Sequence, residues 1–96
     1  MTKIEKRKCE KLMYKAIAEA KNADAEFKQA KISKRNGDIV SFETNLSKAN
    51  RHYGNACGIY QVLEILNFKH DDMKILHDLT YWKSTEFYKK TKKRKL

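Results

Sequence analysis

Three histidines and two cysteines are the side chains of this 96-residue chain that could bind a metal ion or act as nucleophiles. Zinc sites are usually marked by closely spaced pairs such as Cys-x2-Cys, and the chain contains no such pair. His70 and His77 are seven residues apart, which on one helix separates their backbones by about 10 Å. We therefore predict surface or helix-capping histidines, and we expect no metal and no cofactor.

The same side chains do not form a catalytic set. Two His-Asp dipeptides occur at 70–71 and 77–78, but acid–base catalysis needs such groups to converge in a pocket with perturbed pKa values. His52 and Cys57 are five residues apart and would lie on different faces of a helix. The chain also lacks a phosphate-binding glycine loop. The sequence predicts a protein that is not an enzyme.

The cysteines, Cys9 and Cys57, are predicted to be free thiols. No apolar run approaches the roughly 20 residues that cross a bilayer, so no membrane partner is expected. The amino-terminal residues are not followed by the apolar core of a signal peptide, which favours a cytoplasmic location where thiols stay reduced. The helical hairpin inferred below would also keep the two residues about 11 Å apart along its axis, too far for a disulfide.

The charge of the chain is strongly positive and unevenly distributed. Lysine and arginine number 22 against 12 acidic residues, for a formal charge of +10. Residues 28–37 hold four bases and no acid, and residues 83–96 hold seven bases and one acid. The candidate anion-binding residues in these segments are Lys28, Lys31, Lys34, Arg35, Lys89, Lys90, Lys92, Lys93, Arg94 and Lys95.

These ten residues would form one Lys-rich pole if a third helix runs antiparallel to the second and ends beside a turn at Gly37. Such a density of positive charge is typical of a nucleic-acid footprint. Lysine suits phosphate contact, whereas base reading favours arginine, asparagine and glutamine. We predict a non-catalytic protein that binds nucleic acid without sequence specificity. A solvated charged face with a solubilising tail remains the structural alternative.

A second hypothesis is a protein-interaction module. Lysine, asparagine and isoleucine are frequent here, and their AT-rich codons suit a genome such as that of a phage or mobile element. Such a module or inhibitor would self-associate as a homo-oligomer or block a host protein through its helical faces. Its tail would then be incidental, or would bind an acidic protein surface.

A long first helix is predicted over residues 4–33. Small and apolar residues recur at spacings of four and three along one helical face, namely Cys9, Met13, Ala16, Ala20, Ala23, Phe27 and Ala30. The pattern stops at Asn36-Gly37-Asp38. Gly37 can end the helix in the left-handed conformation, and Asp38 can cap the next helix.

The second helix is predicted over residues 39–66, with the same spacing in Ile39, Phe42, Leu46, Ala49, Tyr53, Ala56, Tyr60 and Leu63. Two such seams joined by a short turn indicate an antiparallel helical hairpin with coiled-coil-like packing. A third helix should start at Asp71 or Asp72, with an apolar stripe of Ile75, Leu76, Leu79 and Trp82. The predicted fold is all-α, a small three-helix bundle over residues 1–88, followed by a basic tail at 89–96.

Two glycines interrupt the predicted second helix. Gly54 and Gly58 each cost about 1 kcal/mol relative to alanine inside a helix. A break near Gly54, giving four shorter helices, would be one explanation. The interpretation that we favour is a close-packing face, formed by Gly54 and Gly58, that receives the third helix with Trp82 in the groove, or that receives a partner.

Overall fold

A computed structural model describes residues 1–80 of the chain. Helix α1 spans Lys3–Arg35, helix α2 spans Ile39–Ile65, and helix α3 begins at residue 73 and is described as far as residue 80. Residues 1–80 contain no β-strand. The predicted all-α fold, a long antiparallel hairpin with a third helix packed on it, is confirmed. The predictions for Trp82 and for the tail at 89–96 lie outside the described residues.

The helix boundaries follow from local capping chemistry. Thr2 caps α1, because its hydroxyl oxygen accepts a 3.1 Å hydrogen bond from the Glu5 main-chain N–H. Gly37 ends the hairpin's first arm at φ 76°, a backbone conformation that suits glycine. The Asp38 carboxylate then accepts a 3.1 Å hydrogen bond from the Ser41 N–H and caps α2. The turn and both caps around it are those expected from the sequence.

The seam between α1 and α2 is lined mainly by small residues. Its fully or almost fully buried alanines are Ala16, Ala20, Ala23, Ala30, Ala49 and Ala56. Alanines on both helices let the backbones approach closely, while Met13 and Leu63 fill the seam near its open end. Ile39 was expected in this seam and is instead 66% exposed. It is the first residue of α2, directly after the turn, and the buried seam residues nearest the turn are Ala30 and Ala49.

Helix α3 packs across the open end of the hairpin and runs antiparallel to α2. Leu76 is fully buried in the cluster that also contains Met13 and Leu63. Four residues further along, the carbonyl oxygen of Thr80 accepts a 2.5 Å hydrogen bond from the hydroxyl of Tyr53. Since α3 meets progressively earlier residues of α2 as it advances, it runs toward the Gly37 end.

The start and the stripe of α3 differ in detail from expectation. The helix begins directly after Asp72, but the Asp72 carboxylate accepts a 2.6 Å hydrogen bond from Tyr14 of α1. The N–H of Asp72 donates a 3.0 Å hydrogen bond to the His70 ring nitrogen Nδ1, one residue before the helix begins. Ile75, predicted to be in the buried stripe, is 45% exposed. It immediately precedes Leu76 and points away from the hairpin, because neighbouring helical residues lie about 100° apart and Leu76 takes the buried side.

Helix α2 is continuous through both of its glycines, so the alternative of a break near Gly54 is wrong. Gly54 and Gly58 are exposed, and beyond their chain neighbours and the backbone of their own helix no atom of the described residues lies within 4 Å of the position that a Cβ would occupy on either. The residues of α3 at 73–80 therefore do not fill this face, because they pack on the seam side of α2 instead. Packing by Trp82 falls outside the described residues, and packing by a partner stays a prediction.

Candidate functional site

Four basic residues, which we call the turn cluster, stand together at the closed end of the hairpin. They are Lys28, Lys31, Lys34 and Arg35, and all are exposed. Lys28 Nζ lies 3.3 Å from the Asp24 carboxylate, and Lys34 Nζ lies 5.7 Å from the centre of the Phe42 ring. Exposed contacts of this kind are weak and easily exchanged for a phosphate. The structure thus brings these four predicted residues together on one end of α1.

Part of this charge also stabilises the helix itself. Lys34 and Arg35 lie in the last turn of α1, where the helix dipole favours positive side chains by about 0.3–1 kcal/mol each. Their positions have a structural explanation beside the binding one. Lys28 and Lys31 lie one to two turns further from the end, where the dipole contributes little.

A second basic surface lies at the other end of α1 and is absent from the sequence-based prediction. Arg7, Lys8, Lys11 and Lys15, which we call the N-terminal stripe, are exposed. Residues 3–15 hold six bases and two acids, a net charge of +4 that equals that of residues 28–37. Both ends of the hairpin are therefore basic, and positive charge in residues 1–80 is not confined to one pole. The i, i+4, i+8 spacing of Arg7, Lys11 and Lys15 is the signal that could have identified it.

A polar cluster lies in the middle of the seam. His52 of α2 projects between Glu19 and Glu26 of α1, with Nδ1 in contact with Glu19 Oε2 and Nε2 3.3 Å from Glu26 Oε1. The hydrogen bond from His52 is the largest cause that holds the pKa of Glu19 below its usual value of 4.5, against the opposing effect of burial. The approach of His52 Nε2 is not a hydrogen bond, so the buried Glu26 Oε1 has no hydrogen-bond partner among residues 1–80.

The polar contacts of α3 form a second cluster. His70 stacks on Phe68 and meets Tyr14 edge-on, with ring centres 6.0 Å apart in both pairs. The hydrogen bond to Asp72 is the largest of the effects that raise the pKa of Tyr14 above 10.0. On α2, burial followed by the neighbouring Glu64 raises the pKa of Tyr60 to about 12. The hydrogen bond from Tyr14 to Asp72 joins α1 to the start of α3 and has a structural explanation in docking α3, whereas Tyr60 and Glu64 both lie in α2.

The other candidate nucleophiles and metal ligands are the two cysteines and His52. Cys9 is buried, Cys57 is half-buried, and both are free thiols. His52 is engaged with the two glutamates across the seam. Within residues 1–80 no group of three or more His, Cys, Asp or Glu side chains is arranged to hold a metal ion. A shallow cavity beside the end of α2 is lined by Glu64, Asn67, Phe68, Lys69, His70 and Met73.

Comparison of the chain with protein-family models, with curated proteins and with solved structures finds no match. Across residues 1–80, every helix is too short or too polar for the hydrocarbon layer of a membrane. What the structure defines is the class of fold: an all-α protein built on a helical hairpin, with basic surfaces at both of its ends.

Proposed function

We propose that the protein is non-catalytic and binds nucleic acid without sequence specificity through its Lys-rich pole. One observation carries the proposal: the turn cluster presents four exposed bases within about two and a half turns of one helix. Asp24 is the acid that contacts this cluster, at the surface. A nucleic-acid backbone attracts such a cluster more strongly than one exposed carboxylate does, because it presents a closely spaced row of phosphate charges.

The mode of binding follows from the residue types. Three of the four residues in the turn cluster are lysines, which act as point charges toward phosphate oxygens and do not match base edges in a fixed geometry. The described part of α3 runs toward this end of the hairpin, in line with a contribution from the bases at 89–95. Affinity should therefore depend on salt and scarcely on nucleotide sequence.

Salt dependence tests this proposal directly. Four to six phosphate contacts predict a log–log slope of about −4 to −5 on duplex DNA, which weakens binding about 10²–10³-fold between 50 and 200 mM salt. Deleting residues 89–96, and separately changing Lys31, Lys34 and Arg35 to Gln, should each flatten the slope. Duplexes of unrelated sequence should bind alike. Absence of binding by the full chain at about 50 mM salt would refute the proposal.

A second candidate function is that of a protein-interaction module, and an exposed apolar face supports it. Val62, Ile65 and Leu66 on the last turns of α2 are 47%, 82% and 50% exposed. Gly58 lies beside them and would let another helix approach closely. Exposed apolar patches on small proteins often mark sites of association. The occupant would be a second copy of the chain or a host protein.

The two functions give different results in one experiment. Tagged protein is used to capture partners from host lysate, with and without nuclease treatment. Nucleic-acid binding predicts that captured material is lost after nuclease and is reduced when Lys31, Lys34 and Arg35 are changed to Gln. Protein interaction predicts capture that resists nuclease and falls when Ile65 is changed to Lys, while the far-ultraviolet circular dichroism spectrum is unchanged.

A further inference from the structure

The N-terminal stripe is a second basic surface that the proposed function does not use. The described ion pairs involve Asp24, Glu19, Glu26, Glu10 and Asp78, and none of them includes a residue of the stripe. Its residues lie on the side of α1 opposite the buried Cys9 and Met13, because 3.6 residues per turn places Lys11 and Lys15 on the outer face. The stripe therefore faces solvent over about two and a half turns of helix.

The helix dipole does not account for this stripe. Positive side chains are unfavourable near the N-terminus of a helix, where the dipole is itself positive. Arg7 and Lys8 lie in the second turn of α1 and follow two further lysines in the first. The dipole falls off within the first turn, so the attraction of this surface for an anion comes from its side chains. This contrasts with Lys34 and Arg35, which the dipole stabilises.

The two basic surfaces are held apart and turned away from each other by one continuous helix. Lys11 and Lys31 are the central residues of the N-terminal stripe and the turn cluster, and 20 positions separate them within α1. At 1.5 Å and about 100° per residue, they are about 30 Å apart along the helix and about 160° apart around it. A duplex lying against one surface leaves the other facing away from it.

We propose that the protein bridges two nucleic-acid duplexes, one on the N-terminal stripe and the other on the turn cluster. This inference rests on the proposed function, because it assumes that clustered lysines on this fold bind phosphates. It adds a second binding surface, so that one molecule can hold two duplexes at once, which a single surface cannot do. Each surface carries four bases, so binding through either one alone should follow a salt slope of about −4.

A capture experiment with two duplexes tests the bridge. One duplex is fixed to beads, the full chain is added at about 50 mM salt, and a fluorescent second duplex of unrelated sequence is supplied. We expect the wild type to hold the second duplex on the beads. A stripe variant with Arg7, Lys8, Lys11 and Lys15 changed to Gln should still bind the first duplex. It should hold about tenfold less of the second, since the charges of its second surface are gone.

A charge-matched control separates location from total charge. Changing Lys21, Lys48, Lys69 and Lys74 to Gln removes four exposed positive charges outside both surfaces. This control should bridge nearly as well as the wild type, and circular dichroism should show the same helix content in every variant. A turn-cluster variant, with Lys28, Lys31, Lys34 and Arg35 changed to Gln, should lose bridging as the stripe variant does.

The possible failures are distinguishable. If the wild type binds the fixed duplex but holds no second one, bridging is wrong and the proposed function stands. If the stripe variant bridges as well as the wild type, the second contact comes from another copy of the chain or from residues 89–96, and the inference is overturned. If no form binds the fixed duplex, the proposed function and the inference fail together.

Discussion

His52 Nε2 of α2 lies 3.3 Å from Glu26 Oε1 of α1, across the middle of the helical seam. The other ring nitrogen contacts Glu19, so both nitrogens of one imidazole face carboxylate oxygens. The imidazole thus lies between the two carboxylates and joins α1 to α2 where alanines provide most of the buried residues.

The first prediction concerns the pH dependence that Glu19 confers on stability. Its pKa is lowered mainly by the His52 hydrogen bond, so its carboxylate stabilises the fold above about pH 4.5 and loses that contribution as the pH falls through the lowered pKa. Glu19→Gln should therefore destabilise the protein near neutral pH. The difference from wild type should narrow below about pH 4.5, as measured by urea unfolding in steps down to about pH 3.

A matched variant isolates this effect from net charge. Glu43 is an exposed glutamate of α2, outside the ion pairs described among residues 1–80. Glu43→Gln makes the same change in charge and should alter the unfolding free energy by no more than about 0.5 kcal/mol. A pH-independent difference for Glu19→Gln, or the same narrowing for Glu43→Gln, would contradict the assignment.

The second prediction concerns the open glycine face of α2. Because nothing among the described residues lies within 4 Å of a Cβ on Gly58, Gly58→Ala should stabilise the monomer by about 0.5–1 kcal/mol through helix propensity. Gly37→Ala is the opposing control, since its φ of 76° strains an alanine and should destabilise by about 1 kcal/mol. Thermal unfolding measures both.

Gly58→Ala also tests whether the glycine face of α2 binds a second copy of the chain. If a second copy packs closely on Gly58, Gly58→Ala should weaken self-association in sedimentation equilibrium without unfolding the chain. A lower stability at concentrations where the protein is monomeric would mean that the face is filled within one chain, contrary to the described packing.

The third prediction concerns the seam itself. Ala23 is 1% exposed, so Ala23→Leu should force the two helices apart and cost about 1–3 kcal/mol. Ala18 lies on the exposed side of the same helix, and Ala18→Leu should change stability by less than about 0.5 kcal/mol. Chemical denaturation of both variants supplies the comparison. Equal stabilities would show that α1 and α2 do not pack through Ala23.

The fourth prediction concerns the hydrogen bond that docks α3. Asp72 raises the pKa of Tyr14, so the neutral phenol stabilises the fold below pH 10.0, and that contribution is lost as the pH rises through the raised value. Asp72→Asn should shift the phenolate absorbance of Tyr14 to lower pH. Subtracting the spectrum of the Tyr14→Phe variant isolates the absorbance of Tyr14 from that of the other tyrosines.

The control for this titration is Asp78→Asn, because Asp78 lies 3.4 Å from His77 and is exposed on α3 away from Tyr14. It should leave the Tyr14 component where it is in the wild type. An unshifted component in Asp72→Asn would show that the hydrogen bond does not persist in solution.

Local information in the sequence was enough to predict the hairpin. The spacing of Ala16, Ala20 and Ala23 defines one helical face whatever lies opposite, because helical periodicity is a property of consecutive residues. The requirement for a left-handed residue at Gly37 and for a cap at Asp38 is equally local. The N-terminal stripe could have been predicted for the same reason, because the spacing of its residues is also a property of a single helix.

Which residues are buried and which distant side chains meet depends on how the three helices pack. Ile39 and Ile75 have the apolar character of seam residues, yet both are exposed: Ile39 is the first residue of α2 after the turn, and Ile75 adjoins Leu76, which takes the buried side of α3. The contact of His52 with Glu19 joins residues 33 positions apart, and its existence depends on hairpin register. The glycine face of α2 is open because α3, held by Tyr14 and Tyr53, docks on the seam side. Contacts between distant residues depend on how whole surfaces fit together, which local spacing does not specify.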